Sequence, residues 1–221
     1  ISFPAVMKDV YLWMTVALAM TGLTAAAVAT QPQLIQTIFA NRILFWGLMI
    51  GELGLVFYLS ARIMRMSFAA AGLAFAAYAI LNGLTLSFIF MAYTMESIAT
   101  TFFVTAGTFG AMSIVGYTIK RDLGTLGRIL IMALIGVIIA SVVNMFVHSS
   151  ALQFVVSILG VLIFTGLTAY DTQKIKWMVT QNNGLGEETV MKLALLGSLT
   201  LYLDFINLFL YLLRFLGNSR D

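Results

Sequence analysis

Long uncharged runs, interrupted at short intervals by a few polar residues, dominate the pattern of this chain. Crossing the hydrocarbon core of a bilayer takes roughly 20 apolar residues in a helix. Runs of that length recur at about 10–30, 43–61, 68–92, 97–119, 129–147, 152–177 and 191–213. They predict seven membrane-spanning helices. The stretch Ile129–Tyr170 holds no Asp, Glu, Lys or Arg and is too long for one span, so it divides at the polar turn His148-Ser149-Ser150. Little chain remains between the spans, and residues 1–221 read as a single all-α integral membrane domain with short loops. The run Val10–Ala29 ends in small residues. It is nevertheless longer than the roughly 7–15 apolar residues of a signal peptide and reads as a span.

Composition strengthens this picture. Apolar residues make up 61% and charged residues 10%, with mean hydropathy +1.01, whereas soluble proteins average about 25% charged. Without cysteine there is no disulfide framework, thiolate metal site or Cys nucleophile. A net charge of +3 scattered along the chain gives no footprint for nucleic acid. No phosphate-cradling Gly-rich loop, HExxH or nucleophile elbow is present, so neither an enzyme nor an organic cofactor is expected.

Orientation follows from the basic residues of the short loops. With the N-terminus inside, Lys8, Arg62, Arg65, Lys120, Arg121, Arg128, Lys174, Lys176 and Lys192 lie inside, against Arg42, Arg214 and Arg220 outside. An odd number of spans then leaves the C-terminus outside. Trp13, Trp46 and Trp177 fall near predicted helix ends, where an amphipathic indole prefers the interface.

Three acids remain within the spans: Glu52, Asp171 and Asp204. An ionisable group in a bilayer costs about 2.5–3.5 kcal/mol on insertion scales, so it normally faces the protein interior and a partner. Asp204 lies 11 residues past Leu193, about 16 Å along a helix, and Asp171 six residues before Trp177, about 9 Å from the same face. The sixth and seventh spans are antiparallel, so the two aspartates reach similar depth.

Helical spacing supports an interior placement. Gly197, Thr200, Asp204, Asn207 and Tyr211 form one polar stripe on the seventh span, and Thr168, Asp171 and Lys174 form another on the sixth. Asn82 and Thr85 on the third span, and Asn144 with Ser141 on the fifth, suit ordinary interhelical hydrogen bonds. The single histidine, His148, reads as a solvated turn residue. Two carboxylates in contact in a low-dielectric site cannot both ionise cheaply, so such a pair shares a proton. A cation holds it ionised, with Arg62 or Arg65 as candidates. Asp171, Asp204 and Glu52 are also hard oxygen ligands suited to Ca²⁺, for which protons compete.

The segments NGLTLSFIF (82–90), GLTAYDTQKIK (166–176) and ALLGSLTLYLDFINLFLYLLRFLG (194–217), with the seven-span layout, resemble the Bax inhibitor-1 family, also called the transmembrane Bax inhibitor motif family. The match covers nearly the whole chain and is similar to bacterial-type members. It implies a seven-helix bundle whose last helix is central, and a pH-sensitive Ca²⁺ leak across a bacterial inner membrane. It implies that Asp171 and Asp204 form the pH-sensing pair and that Arg62 latches the closed form. Glu52 resembles the family's acid on the second helix, and Asn207, Thr200 and Asn82 join it as candidates for lining the ion path. The expected partners are Ca²⁺, protons and the lipid bilayer.

Two other classes of function stay open. One is a non-transporting regulator of a membrane-anchored AAA protease or of cell-death and stress partners, which needs the helices and not the acids. The other is an intramembrane aspartyl protease of presenilin type, which also places Tyr-Asp on one helix and a second Asp on the next. Against it, the second site reads Leu201-Tyr202-Leu203-Asp204 in place of Gly-x-Gly-Asp, and the Pro-Ala-Leu element is missing, since the only prolines are Pro4 and Pro32. The sign of pH gating is open at this level too, because protonation weakens attraction for an arginine while ionisation strengthens Ca²⁺ binding.

Overall fold

In the computed structural model, which describes residues 3–182, 184 and 186–219, seven helices are long and apolar enough to cross a membrane. They are α1 (Phe3–Ala29), α3 (Arg42–Arg62), α4 (Phe68–Leu86), α6 (Met95–Thr118), α7 (Gly124–Val147), α8 (Ser150–Gln181) and α9 (Glu187–Leu216). Two short helices, α2 (Pro32–Ala40) and α5 (Ile89–Ala92), complete the set, and a 3-10 turn at Ile63–Arg65 follows α3. Arg220, counted above among the outer cations, lies outside the described residues.

Local chemistry sets the helix ends. Asn41 Oδ1 accepts from the Ile43 and Leu44 amides at 3.1 Å each, capping α3, and Ser67 Oγ accepts from the Ala70 amide at 3.2 Å to cap α4. The turn between α7 and α8 is built by its polar residues. His148 adopts φ 52 in the left-handed region at the end of α7. Asn144 Oδ1 accepts from Ser149 N at 2.9 Å, and Ser149 Oγ accepts from Leu152 N at 3.2 Å.

The boundaries depart from the hydropathy runs where charge lies beyond the apolar stretch. Helix α8 begins at Ser150 and continues past Trp177 to Gln181, and α9 starts at Glu187. There Lys192 pairs with Glu188 at 3.1 Å across one turn, supporting the helix where its sequence is polar. Helix α2 is absent from the hydropathy pattern because nine residues are too few for a span. It forms because Ile35 and Ile38 lie on one face and bury against Val28, Phe39, Leu48 and Leu84.

Contacts divide the chain into two compact units. The first holds residues 1–94, 178–202 and 219–221, and the second residues 95–177 and 203–218, so α9 passes from one to the other after Tyr202. In the first, α1 packs closely on α4: Gly83 leaves room for Thr21 and Thr24, and Trp13 meets Phe68 edge-on at 5.7 Å. In the second, glycines again permit close approach: Gly116 of α6 to the Ala169 backbone, Gly127 of α7 to the Tyr170 ring, and Gly160 of α8 to the Tyr211 ring. Helix α9 is the most buried span, with 67% of its most apolar stretch inside, whereas α7 has 6% and presents its aliphatic face outward. An all-helical membrane protein with a buried last helix is what the sequence predicts.

Candidate functional site

Asp171 and Asp204 both belong to the second unit, and their carboxyl groups come within hydrogen-bonding reach of one another. Asp171 stands on the inward face of α8 with Phe164, Leu167, Thr168, Thr172 and Ile175. The Thr168 and Thr172 hydroxyls each donate to the carbonyl four residues back, to Phe164 O and Thr168 O at 2.7 Å. Neither hydroxyl is therefore free to donate to Asp171. Helices α6 and α7 approach α8 closely at Ala169 and Tyr170, the residues just before Asp171.

Asp204 is flanked by Phe205, whose ring meets Phe109 at 5.4 Å and Phe102 at 5.6 Å. The two acids retain 8% and 5% exposure. Asp204 Oδ2 is buried without a donor. Ionised carboxylates only accept hydrogen bonds, so two of them in direct contact are compatible when a proton is shared or a cation intervenes. Lys174 is the charge closest to Asp171 along α8, but its ammonium lies over the Tyr170 ring at 6.0 Å. The one ion pair among the described residues is Lys192 with Glu188.

Glu52 belongs to the first unit. Helix α3 is largely exposed, and Glu52 and Leu59 are its buried residues. Glu52 Oε1 accepts from the Thr85 hydroxyl at 2.7 Å. Among the described residues no three His, Asp or Glu side chains are grouped to hold a metal ion. As oxygen ligands for Ca²⁺ the site therefore presents the aspartate pair, well short of the 6–8 oxygens that a storage site supplies.

The remaining candidates fall into distinct settings. Arg62 is exposed at the last turn of α3, and Arg65 ends the 3-10 turn, both in the first unit. Thr200 and Asn207 lie on the half-buried stripe of α9, and each donates to its own helix, to Leu196 O at 3.0 Å and Leu203 O at 2.8 Å. Asn82 donates through Nδ2 to the Tyr202 hydroxyl at 2.9 Å, an interhelical bond of the kind its sequence suggests. Ser141 returns its hydroxyl to Val137 O, and His148 is exposed.

Sequence reading overlooked Tyr202 and Thr21. Tyr202 is fully buried, and its hydroxyl also meets Thr21 Oγ1 at 2.6 Å. Thr21 pairs in spacing with Thr24, a common helix-packing pattern, and Tyr202 sits outside the polar stripe, so neither stood out as a partner of the other.

Comparison with known proteins agrees along the whole chain. The family described as inhibitor of apoptosis-promoting Bax1 matches residues 4–221. The inner membrane protein YbhL of Escherichia coli strain K12 is 51% identical over 214 residues, spanning 97% of this chain and 92% of its own. A protein of Borreliella burgdorferi is 48% identical over 210 residues, 94% of this chain and 89% of its own. A membrane protein of Streptococcus pyogenes is 42% identical over 187 residues, 84% and 80% respectively.

Proposed function

This multi-pass membrane protein belongs to the Bax inhibitor-1 family, and from that premise we propose that it is a pH-sensitive Ca²⁺ leak gated by Asp171 and Asp204. The observation that carries the reading is the contact of two buried carboxyl groups, one with an oxygen lacking any donor. A shared proton satisfies that contact, and so does a passing divalent cation, which makes the two compete at one place. Two carboxylates bind Ca²⁺ too sparsely to trap it, which suits passage more than storage.

At low pH the pair holds its proton and the closed form loses the anionic charge that a cation stabilises. At higher pH the ionised pair favours closure. Flux therefore rises as pH falls. The family resemblance supplies Arg62 as the residue that maintains the closed form and Glu52 as the acid of the second span, while Thr200, Asn207 and Asn82 are candidates for the ion path by their helical spacing alone. The same resemblance, with YbhL, points to a bacterial inner membrane, with the N-terminus cytoplasmic by the loop charge bias.

The test is Ca²⁺ entry into dye-loaded liposomes holding the purified chain, between about pH 5 and pH 8, with Asp204→Asn measured in parallel. Flux that rises at low pH and loses its pH dependence in the variant is the expected outcome. No flux above empty liposomes at any pH would remove transport and leave the regulator reading.

A further inference from the structure

At one end of the second unit, positive charge is gathered from three segments. Lys120 and Arg121 lie in the connection between α6 and α7, Arg128 one turn into α7, and Lys174 and Lys176 in the last turns of α8. Hydrogen bonds tie these segments together. Gln173 donates through Nε2 to Arg121 O and accepts through Oε1 from Leu123 N, both at 2.9 Å. Lys176 Nζ donates to Tyr117 O at 2.9 Å and lies over the Tyr117 ring at 5.1 Å. Lys174 sits over the Tyr170 ring, and that ring packs on Gly127, the neighbour of Arg128.

The connection itself holds two cations and one acid, Asp122, whose Oδ1 accepts from Gly124 N at 2.8 Å, and Lys174 also faces the charge of Asp171 on α8. Helix α7 carries no acid in its first turn, where Arg128 stands near the positive end of the helix and donates through Nη2 to Thr125 Oγ1 at 3.1 Å. Cations on separate flexible loops would drift apart, whereas here Gln173 and Lys176 hold them together at a cost in mutual repulsion. A bound anion removes that cost. Trp177, 63% exposed, follows Lys176 in sequence, and an exposed indole prefers the membrane interface. Phosphate groups of lipids occupy that depth, and guanidinium groups match their oxygens in forked geometry.

We propose that the α6–α7 connection and the end of α8 form a binding site for the phosphate headgroup of an anionic phospholipid. Arg121 and Arg128 grip the phosphate, and Lys120, Lys174 and Lys176 supply surrounding charge. The proposal shares Lys174 with the surroundings of Asp171, yet it stands whether or not the protein conducts Ca²⁺.

Binding of phosphatidylglycerol and of phosphatidylcholine to the full chain in detergent, followed by native mass spectrometry, tests it. The Arg121→Gln/Arg128→Gln variant should lose phosphatidylglycerol affinity about fivefold or more, since one cation near an anionic surface contributes about that factor, while phosphatidylcholine binding stays unchanged. Lys8→Gln/Lys192→Gln, which removes two cations elsewhere, should change neither. Equal losses in both variants would reduce the effect to general surface attraction and overturn the site. Displacement of the lipid by millimolar inorganic phosphate would assign the cluster to a free anion and overturn the lipid reading. Should the glutamine variant not fold, Arg121→Lys/Arg128→Lys keeps the charge and removes the fork. An intermediate loss supports the site, and no loss overturns the role of the guanidinium groups.

Discussion

Helix α9 carries two buried polar side chains only two positions apart, one in each unit, and they are treated in opposite ways. Tyr202 and Asp204 retain 0% and 5% exposure, so depth of burial does not separate them. Partners do. The Tyr202 hydroxyl meets Thr21 at 2.6 Å and Asn82 at 2.9 Å, and its ring packs edge-on against Phe75 and Tyr78. The hydroxyls and the amide there are neutral and bonded to one another. Asp204 meets another acid and keeps one oxygen without a donor. A completed neutral network in a membrane protein is structural adhesive. An incomplete acidic one responds to whatever supplies a proton or a positive charge.

The largest test of that contrast neutralises the pair. In Asp171→Asn and Asp204→Asn the contact no longer depends on a shared proton, because an amide supplies its own donor. A proton held more tightly by one conformation than by the other, by one pKa unit, is worth about 1.4 kcal/mol and shifts their equilibrium about tenfold. Wild-type Ca²⁺ flux should therefore rise about tenfold or more from neutral to acid pH, and each variant should be flat over the same range. A variant that retains the full pH response would mean the sensor lies elsewhere.

Stability tests come next. A Cβ at Gly116 would run into the Ala169 backbone, which has no flexible end to move, whereas at Gly51 on α3 it would meet nothing. Gly116→Ala should cost about 1–3 kcal/mol and separate α6 from the acid-bearing stretch of α8. Gly51→Ala should be neutral or slightly stabilising, since alanine outranks glycine in a helix by about 1 kcal/mol. Thermal unfolding in detergent compares the two, and equal melting temperatures would contradict the close packing.

Tyr202→Phe is expected to be milder. It removes the hydroxyl that Asn82 and Thr21 share, while Thr21 keeps its bond to Ala79 O at 2.8 Å. Interhelical hydrogen bonds in membranes average about 0.6 kcal/mol, so a loss of about 1 kcal/mol is expected, with the pH profile of flux unchanged. A shifted profile would show that the neutral network and the acid pair are coupled.

These residues also show what the sequence could disclose. Seven spans were legible because a bilayer demands a long apolar helix, and the turn at residues 148–150 because it interrupts such a run. The aspartate pair was legible as a candidate because two acids in apolar helices on consecutive antiparallel spans fall within about two turns of one another in depth, although spacing alone did not require them to touch. Tyr202 was not, because its meaning depends on Thr21, 181 residues away in sequence, and on no local spacing. The stripe holding Thr200 and Asn207 was legible as a pattern but not as a chemistry, since both side chains return to their own helix. Helix α2 was hidden because its amphipathic face has a length that hydropathy windows average away.

Glu52 gives the smallest and most discriminating effect. It is an acid like the aspartates, yet its partner is the neutral Thr85 hydroxyl, as in the Tyr202 network. Glu52→Gln preserves a side-chain oxygen that accepts the same bond, so stability should change by no more than the roughly 0.6 kcal/mol typical of such a contact. Under the proposed Ca²⁺ leak, the Glu52 carboxylate would contribute negative charge that draws the cation. Its removal should lower flux a few-fold at the neutral end of the range, where a carboxylate carries charge, as loss of one charge acting across partly screened distance does, while leaving the rise toward acid pH in place. The aspartate variants should do the converse and flatten the profile. If Glu52→Gln moves the midpoint, the proton is sensed in the first unit and the division between a satisfied network and a responsive pair falls. If amplitude alone changes, Glu52 tunes how much passes and the pair decides when.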